Sequence, residues 1–190
     1  MQRLKLGEVG RLQWEASPSA WIGWTLLWGL LSWCGVKLFK FQGRDAILGG
    51  FLGSVLHFLA TIWHHWGHSR AAAITGFPMQ GLRFWGVLAT SVYPDDEPPL
   101  AAAIHIQRAV GGPLVSAALA ALAGLLALLT RPLSRFWHLL ASFFFWDNLL
   151  VFTLGALTPL GFTDGHTILR WLPQLTRPNL VITPLKQVRD

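Results

Sequence analysis

The chain has 190 residues, of which 53% are hydrophobic and only 13% are charged. Soluble domains average about 25% charged residues, so this composition predicts a polytopic membrane protein with a single domain. The high apolar content and the single cysteine exclude disordered and disulfide-stapled classes. The net charge of +6 is spread over the segments between apolar runs. Such charges are typical of the flanks of membrane spans, so a nucleic-acid partner is not expected.

We expect an all-α integral membrane protein with four transmembrane helices. Residues 1–20 form a polar N-terminal segment, and residues 21–44 contain the first span, Trp21 to Val36, with its connector. This run is longer than the core of a signal peptide and lacks a small-residue cleavage pattern, so it predicts a retained span. Residues 45–173 form the membrane core, and residues 174–190 form a C-terminal tail.

The core contains three further apolar runs. The second span runs from Ala46 to Trp63 and continues as a helix towards Ala73, the third runs from Ala109 to Thr130, and the fourth runs from Phe136 to Thr158. Twice as many lysine and arginine residues lie on the side of the termini as on the opposite side. This excess predicts that both termini are cytoplasmic, in a cell inner membrane.

The loop between the second and third spans has its own structural pattern. Its stretch Leu82 to Tyr93 is rich in aromatic and β-branched residues and predicts a strand or hairpin. An acidic, turn-like segment, Pro94 to Pro99, follows. Because the loop is too apolar to be simply solvated, we expect it to rest on the membrane or dip into it, protected by the helices.

Two spans carry polar side chains at mid-depth, where such groups are costly without a partner. Asp147 and Asn148 in the fourth span predict a polar contact between helices, and the alternative is that they line a substrate path. His57 in the second span predicts a core histidine bonded to a polar neighbour. Its alternative role is that of an axial ligand to a porphyrin-like pigment.

A candidate metal site lies where the second span reaches the inner side. His64 and His68 are four residues apart, which places both imidazoles on one face of a helix. The fourth span ends on the same side of the membrane, and Asp164-Gly165 follows it. Two histidines and one carboxylate are a standard ligand set for zinc. The plain alternatives are histidines at a span end and a turn in which Asp164 caps a helix.

These motifs, in this order, resemble the site-2 protease type of intramembrane zinc metalloprotease. The family's HExxH motif on a membrane helix is matched by His64 to His68, which is followed by three alanines. Its Gly-Pro near the start of the next span is matched by Gly112-Pro113, and its Asn-x-x-Pro segment leading to Asp-Gly is matched in part by Pro159 and Asp164-Gly165. The resemblance covers about residues 50 to 170.

The resemblance implies a core of three helices with zinc bound by His64, His68 and Asp164. It also implies that the loop hairpin presents a substrate strand. Four positions match family positions that face a substrate or partner: Gly112, Pro113, Ala156 and Pro159.

Two positions depart from the family pattern. His65 stands where the family has the glutamate that serves as general base, and Ala156 stands where it has the asparagine. A neutral histidine beside a dication is a poor proton acceptor, and loss of a general base costs about 10²–10⁴-fold in rate. The sequence therefore predicts a pseudoprotease that retains a zinc site and binds membrane lipid and another membrane protein.

Two other functions stay open at this stage. One is an active intramembrane metalloprotease, in which His65 serves as the base or a carboxylate swings in from the loop, from Asp95, Asp96 or Glu97. The other is an accessory subunit of a larger membrane complex. Such a subunit would hold pigment or lipid against its aromatic first span, with His57 as the candidate pigment ligand.

Overall fold

The computed structural model describes residues 3–176, so residues 177–190 of the expected C-terminal tail lie outside the described residues. The elements in chain order are β1 (Leu4–Val9), β2 (Leu12–Ala16), α1 (Pro18–Lys37), α2 (Gly43–Ile74), β3 (Gly81–Trp85), β4 (Leu88–Val92), α3 (Ala102–Thr130), α4 (Arg135–Trp146) and α5 (Asp164–Thr176). Helix α4 continues directly into a π-helical segment, Asp147–Gly155.

Within the described residues, three helices are long and apolar enough to cross a membrane. They are α2, α3 and the continuous helix formed by α4 with the π-helical segment. Three of the four expected spans are thus confirmed as helices of that kind. The expected first span lies inside α1, which is not among the three. Helix α1 contains four tryptophans, and their indole N–H groups make its composition less apolar.

Helices α1 and α2 pack as an antiparallel pair. The indole nitrogen of Trp24 donates to the Ser54 hydroxyl at 2.9 Å, and that of Trp28 donates to the Ile47 carbonyl at 3.0 Å. A buried indole N–H needs an acceptor, so these bonds explain why two tryptophans lie within α1 and not only at its ends.

Helices α2 and α3 approach each other almost backbone to backbone. A Cβ atom added to Gly67 would collide with the carbonyl of Gly111, and one added to Gly111 would collide with Gly67. Small residues permit this close approach between membrane helices. The contact lies one residue before His68 on α2, so it also brings the α3 backbone up to the histidine pair.

The sheet has four strands in the order β1-β2-β3-β4, with β2 parallel to β3 and the other pairs antiparallel. Strands β3 and β4 confirm the hairpin expected within Leu82 to Tyr93. Strands β1 and β2 are not anticipated by the polar character of residues 1–20. The helical pair α1–α2 connects the parallel strands β2 and β3, as a crossover must.

The sheet packs against the middle of α2. Its buried core is formed by Ala16, Leu82 and Phe84 with Ala20 of α1, and Phe58 and Ile62 of α2 pack against that core. The turn between β3 and β4 reaches His57, near the midpoint of α2. Because α2 is one of the membrane-type helices, this turn lies against the middle of a candidate span, which suits a loop that is shielded by helices.

Candidate metal centre

The structure brings His64, His68 and Asp164 together, although the aspartate lies about 100 residues further along the chain. The Nε2 atoms of the two histidines are 3.0 Å apart. Each also faces one carboxylate oxygen of Asp164, at 3.3 Å from His64 and 3.4 Å from His68. Both histidines are buried, and Asp164 is partly buried. The expected juxtaposition is therefore present.

The far side of each imidazole is held by a second polar group. His68 Nδ1 donates to the main-chain carbonyl of Arg108 at 2.8 Å. A carbonyl can only accept, so the proton of a neutral His68 lies on Nδ1 and leaves the Nε2 lone pair free. His64 Nδ1 lies 3.0 Å from the Ser116 hydroxyl, which can accept in the same way. Metal-ligating histidines are oriented by outer partners of this kind.

The donor set fits zinc in chemistry and in spacing. Burial alone would raise the pKa of the Asp164 carboxyl, but its contacts with His64 and His68 outweigh burial and lower the pKa to about 2. The cluster thus offers two imidazole nitrogens and one carboxylate oxygen, a ligand set that zinc prefers. Tetrahedral zinc with bonds of 2.0–2.1 Å places its ligand atoms about 3.3 Å apart. The observed 3.0–3.4 Å separations match that value.

Two glycines allow the three groups to converge. A Cβ atom on Gly112 of α3 would overlap the imidazoles of both His68 and His64. A Cβ atom on Gly165 would overlap the carbonyls of Leu157 and Thr158, which precede α5. The amide of Gly165 instead donates to the Ala156 carbonyl at 2.9 Å. Asp164 is thereby fixed to the end of the preceding helix and faces α2.

His65 lies beside the cluster and is not part of it. Among the described residues, the group with metal-ligand spacing consists of His64, His68 and Asp164. The side chain of His65 is buried, and its Nδ1 lies 2.9 Å from the hydroxyl of Ser91 on β4. One nitrogen of His65, which the resemblance places at the general-base position, is therefore already engaged with the hairpin.

A cavity of about 1090 Å³ opens directly onto these histidines. Its walls come from strand β4, the loop that follows β4, the π-helical segment and helix α5, and it is lined by His64, His65, His68 and Asp164 among others. Strand β4 is at the end of the strand order, so within the described chain its outer edge is unpaired. The cavity volume lies at the upper end of the range of about 300–1,000 Å³ that is usual for small-molecule pockets.

The acidic loop over this cavity is tied down at Glu97. The buried guanidinium of Arg108 binds both carboxylate oxygens of Glu97 and the carbonyl of Phe77. Arg108 also lies 4.2 Å from the ring centre of Tyr93, and burial raises the pKa of that phenol to about 12. Glu97 is therefore not free to swing in as a base. Asp95 lines the cavity and is exposed.

The residues expected to face a substrate have different environments. Ala156 lines the cavity. Gly112 and Pro113 are buried within α3, and Gly112 faces the imidazoles. Pro159 is exposed and does not line the cavity. Gly112 thus contacts the group formed by His64, His68 and Asp164, the metal-type cluster. The sequence pattern did not indicate this contact.

His57 and Asp147 form a second buried pair. His57 Nδ1 lies 3.1 Å from both carboxylate oxygens of Asp147, and its Nε2 lies 2.7 Å from the Val87 carbonyl. The prediction that His57 bonds to a polar neighbour is thus confirmed, as is a polar contact between helices at Asp147. Both nitrogens of His57 face oxygen atoms in the structure, and its alternative role as a pigment ligand stays a prediction.

The comparisons support the fold alone. The structure is similar to the Site-2 Protease from Methanocaldococcus jannaschii, with a TM-score of 0.64 and 16% sequence identity. The match covers 93% of this chain and 74% of that chain. No protein-family model matches this chain, and no curated protein matches it in sequence. The site-2-protease-like fold expected from the motifs is therefore supported by an independent structural likeness.

Proposed function

We propose that this protein is a site-2-protease-like membrane metalloprotein that binds zinc through His64, His68 and Asp164. Its cavity binds an apolar segment of another membrane protein, and its proteolytic turnover is impaired. One observation carries the proposal: two Nε2 atoms and a carboxylate meet within 3.4 Å of one another. Each imidazole is also oriented by a polar partner behind it.

The proposed impairment follows from the residue beside the ligands. Bound zinc would supply Lewis acidity that polarises a carbonyl group. Efficient peptide hydrolysis also needs a side chain that accepts a proton and returns it to the leaving amine. His65 is neutral before it accepts a proton, and its Nδ1 is engaged with Ser91. The site therefore has a metal-ligand set without an anionic base next to it.

The cavity supports the partner-binding part of the proposal. It is lined by apolar side chains of the hairpin and the π-helical segment, including Trp85, Leu88 and Phe152, and it reaches the histidines. The unpaired edge of β4 can add an extended segment by main-chain hydrogen bonds. An apolar segment unwound from a membrane helix suits both features.

We further propose that α1 is a fourth span. It has 20 residues, a length of about 30 Å, and it packs antiparallel to α2 through Trp24 and Trp28. Its outer face exposes Ile22, Leu26 and Leu30, which suits contact with lipid. With four spans, both termini lie on the same side of the membrane. We place that side in the cytoplasm and the protein in the inner membrane of the cell.

Metal analysis of the purified protein tests the zinc site. We expect close to one zinc per chain, and loss of that zinc in His68→Ala. The matched control is His138→Ala, because His138 lies in α4 and bonds to the Ala127 carbonyl away from the cavity. A protein that neither contains zinc nor takes it up would contradict the proposal.

A photo-crosslinking assay in proteoliposomes separates binding from cleavage. A crosslinking amino acid at Leu88, which lines the cavity, should capture a single-span membrane peptide without producing fragments. His65→Glu should then yield cleavage that a chelator abolishes. Absence of crosslinking would contradict partner binding in the cavity.

Active proteolysis is the second candidate function. It is favoured by the direct opening of the cavity onto His65 and by the exposed carboxylate of Asp95 on the cavity wall. In the same assay it predicts chelator-sensitive fragments from the unaltered protein. That result would overturn the proposed impairment while leaving the zinc site in place.

A further inference from the structure

The His57–Asp147 pair joins three parts of the molecule that are distant in sequence. Asp147 begins the π-helical segment, His57 lies at the middle of α2, and Val87 lies in the turn between β3 and β4. Both side chains are buried, with His57 at 5% and Asp147 at 8% exposure. The single imidazole therefore links the membrane helices to the tip of the hairpin.

The bonding pattern determines where the protons lie. The Val87 carbonyl can only accept, so His57 Nε2 carries a proton. His57 Nδ1 and the Asp147 carboxylate share the next proton, in a pair whose charges offset each other. Asp147 thus holds the ring in the orientation that presents Nε2–H to the hairpin.

The hairpin turn needs such a donor because of its position. A carbonyl that lies among membrane helices has no bulk water to bond, and leaving it unpaired costs free energy. On the other side of the turn, the amide of Gly86 donates to the Ser19 hydroxyl at 3.2 Å. The turn is therefore attached to α1 through Ser19 and to α2 through His57.

We propose that His57 and Asp147 are positioning residues that dock the hairpin turn on α2 and thereby hold β4 as a wall of the cavity. Strand β4 begins at Leu88, immediately after the docked turn, and carries Ser91, which contacts His65. The position of the cavity wall next to the histidines thus depends on a contact two helical turns away from the metal-type cluster. This inference goes beyond the proposed function and does not require zinc.

Hydrogen–deuterium exchange of the full-length protein tests the proposal. The variant His57→Phe keeps a ring between Phe58 and Phe152 but removes the bonds to Asp147 and Val87. In this variant, the amides of residues 85–90 should exchange about ten-fold faster or more. Exchange in α1 and α3 should not change. The control Ser54→Ala breaks a polar contact one turn earlier on α2, to Trp24, and should leave residues 85–90 as in the unaltered protein.

Conservative variants and a spectrum separate positioning from general stability. In His57→Gln, the side-chain amide can donate to the Val87 carbonyl, and in Asp147→Asn, the side-chain amide can orient the His57 ring. Hairpin exchange in both variants should therefore be closer to that of the unaltered protein than it is in His57→Phe. The ¹⁵N signals of the His57 imidazole in the unaltered protein should show a proton on Nε2.

Three results would overturn the proposal. They are unchanged hairpin exchange in His57→Phe, equally faster exchange throughout α1 and α3, and an unprotonated Nε2 in the unaltered protein. The last measurement needs no variant, so it applies even if His57→Phe does not fold. All of these readouts are independent of zinc content, and failure here would leave the proposed metal site untouched.

Discussion

Helix α2 contributes histidines to two histidine–carboxylate groups, and these groups differ in whether their imidazoles have a nitrogen available for a metal ion. At the metal-type cluster, the Nδ1 atoms of His64 and His68 are engaged and both Nε2 atoms converge with Asp164. At the second group, His57 has Asp147 on one nitrogen and a carbonyl on the other. Both groups are buried histidines of α2, so burial and the presence of a carboxylate do not distinguish them.

The difference lies in the second partner of each ring. When the outer acceptor occupies Nδ1, the imidazole keeps one free lone pair and can serve as a ligand. When both nitrogens face oxygen atoms, neither lone pair is directed at an open position, and the ring becomes a structural link. The full hydrogen-bond set of each histidine is therefore the observation that separates a candidate ligand from a positioning residue.

The largest expected effect separates the two carboxylates. Asp164→Asn removes the anionic ligand and should lower zinc affinity by more than the roughly 10–100-fold typical of outer partners. Asp147→Asn should change it less than about 3-fold, because Asp147 touches His57 and not the cluster. Competition titration with a chromogenic zinc chelator measures both. Equal losses in the two variants would contradict the separate roles of Asp164 and Asp147.

The next effect is steric. Gly112→Ala places a methyl group against the imidazoles of His68 and His64. Overpacking typically costs about 1–3 kcal/mol, so zinc affinity should fall by up to about 100-fold. Gly29→Ala is the control, since a Cβ atom there meets nothing within 4 Å. If Gly112→Ala bound zinc as tightly as Gly29→Ala, the described approach of α3 to the histidines would be wrong.

A smaller effect is expected behind His64. Ser116→Ala removes the hydroxyl that lies 3.0 Å from His64 Nδ1, and zinc affinity should fall about 10-fold, as is usual for a neutral outer partner. The hydroxyl of Ser54, which like His64 lies on α2, accepts from Trp24 instead, so Ser54→Ala should have no effect in the same titration. An unchanged affinity in Ser116→Ala would show that Ser116 does not orient the ligand.

The smallest effect is expected at Ser91. Ser91→Ala removes a partner of His65, which is adjacent to the cluster without belonging to it. Zinc affinity should therefore change by less than about 3-fold. A loss as large as that in Ser116→Ala would indicate that His65 contributes to metal binding, and would place it with the ligands instead of with the residues of the cavity wall.

Local spacing and the count of crossings were enough to predict that His64, His68 and Asp164 come together. His64 and His68 share a helical face, and the number of spans places Asp164 on their side of the membrane. The hairpin β3–β4 was also predictable, because its aromatic and β-branched residues lie close together in sequence. These features depend on short-range patterns or on topology alone.

The features that were not predicted depend on contacts between distant segments. Strand β2 pairs with β3 across two long helices, and the polar composition of residues 1–20 gave no sign of it. The sequence predicted a polar partner for His57 but did not identify it as Asp147, 90 positions further along the chain. The bond of His57 to a main-chain carbonyl has no side-chain signature. Likewise, only the structure shows that Arg108 engages Glu97 and thereby removes it from the candidate bases.

X-ray absorption at the zinc edge tests the central claim most directly, since it counts the imidazoles around the metal. We expect two imidazole nitrogens at about 2.0–2.1 Å in the unaltered protein and in His57→Phe, and loss of the bound zinc in His64→Ala, as in His68→Ala. A protein that takes up no zinc, or a spectrum that loses an imidazole in His57→Phe while His64→Ala keeps its zinc with two imidazoles, would contradict this expectation.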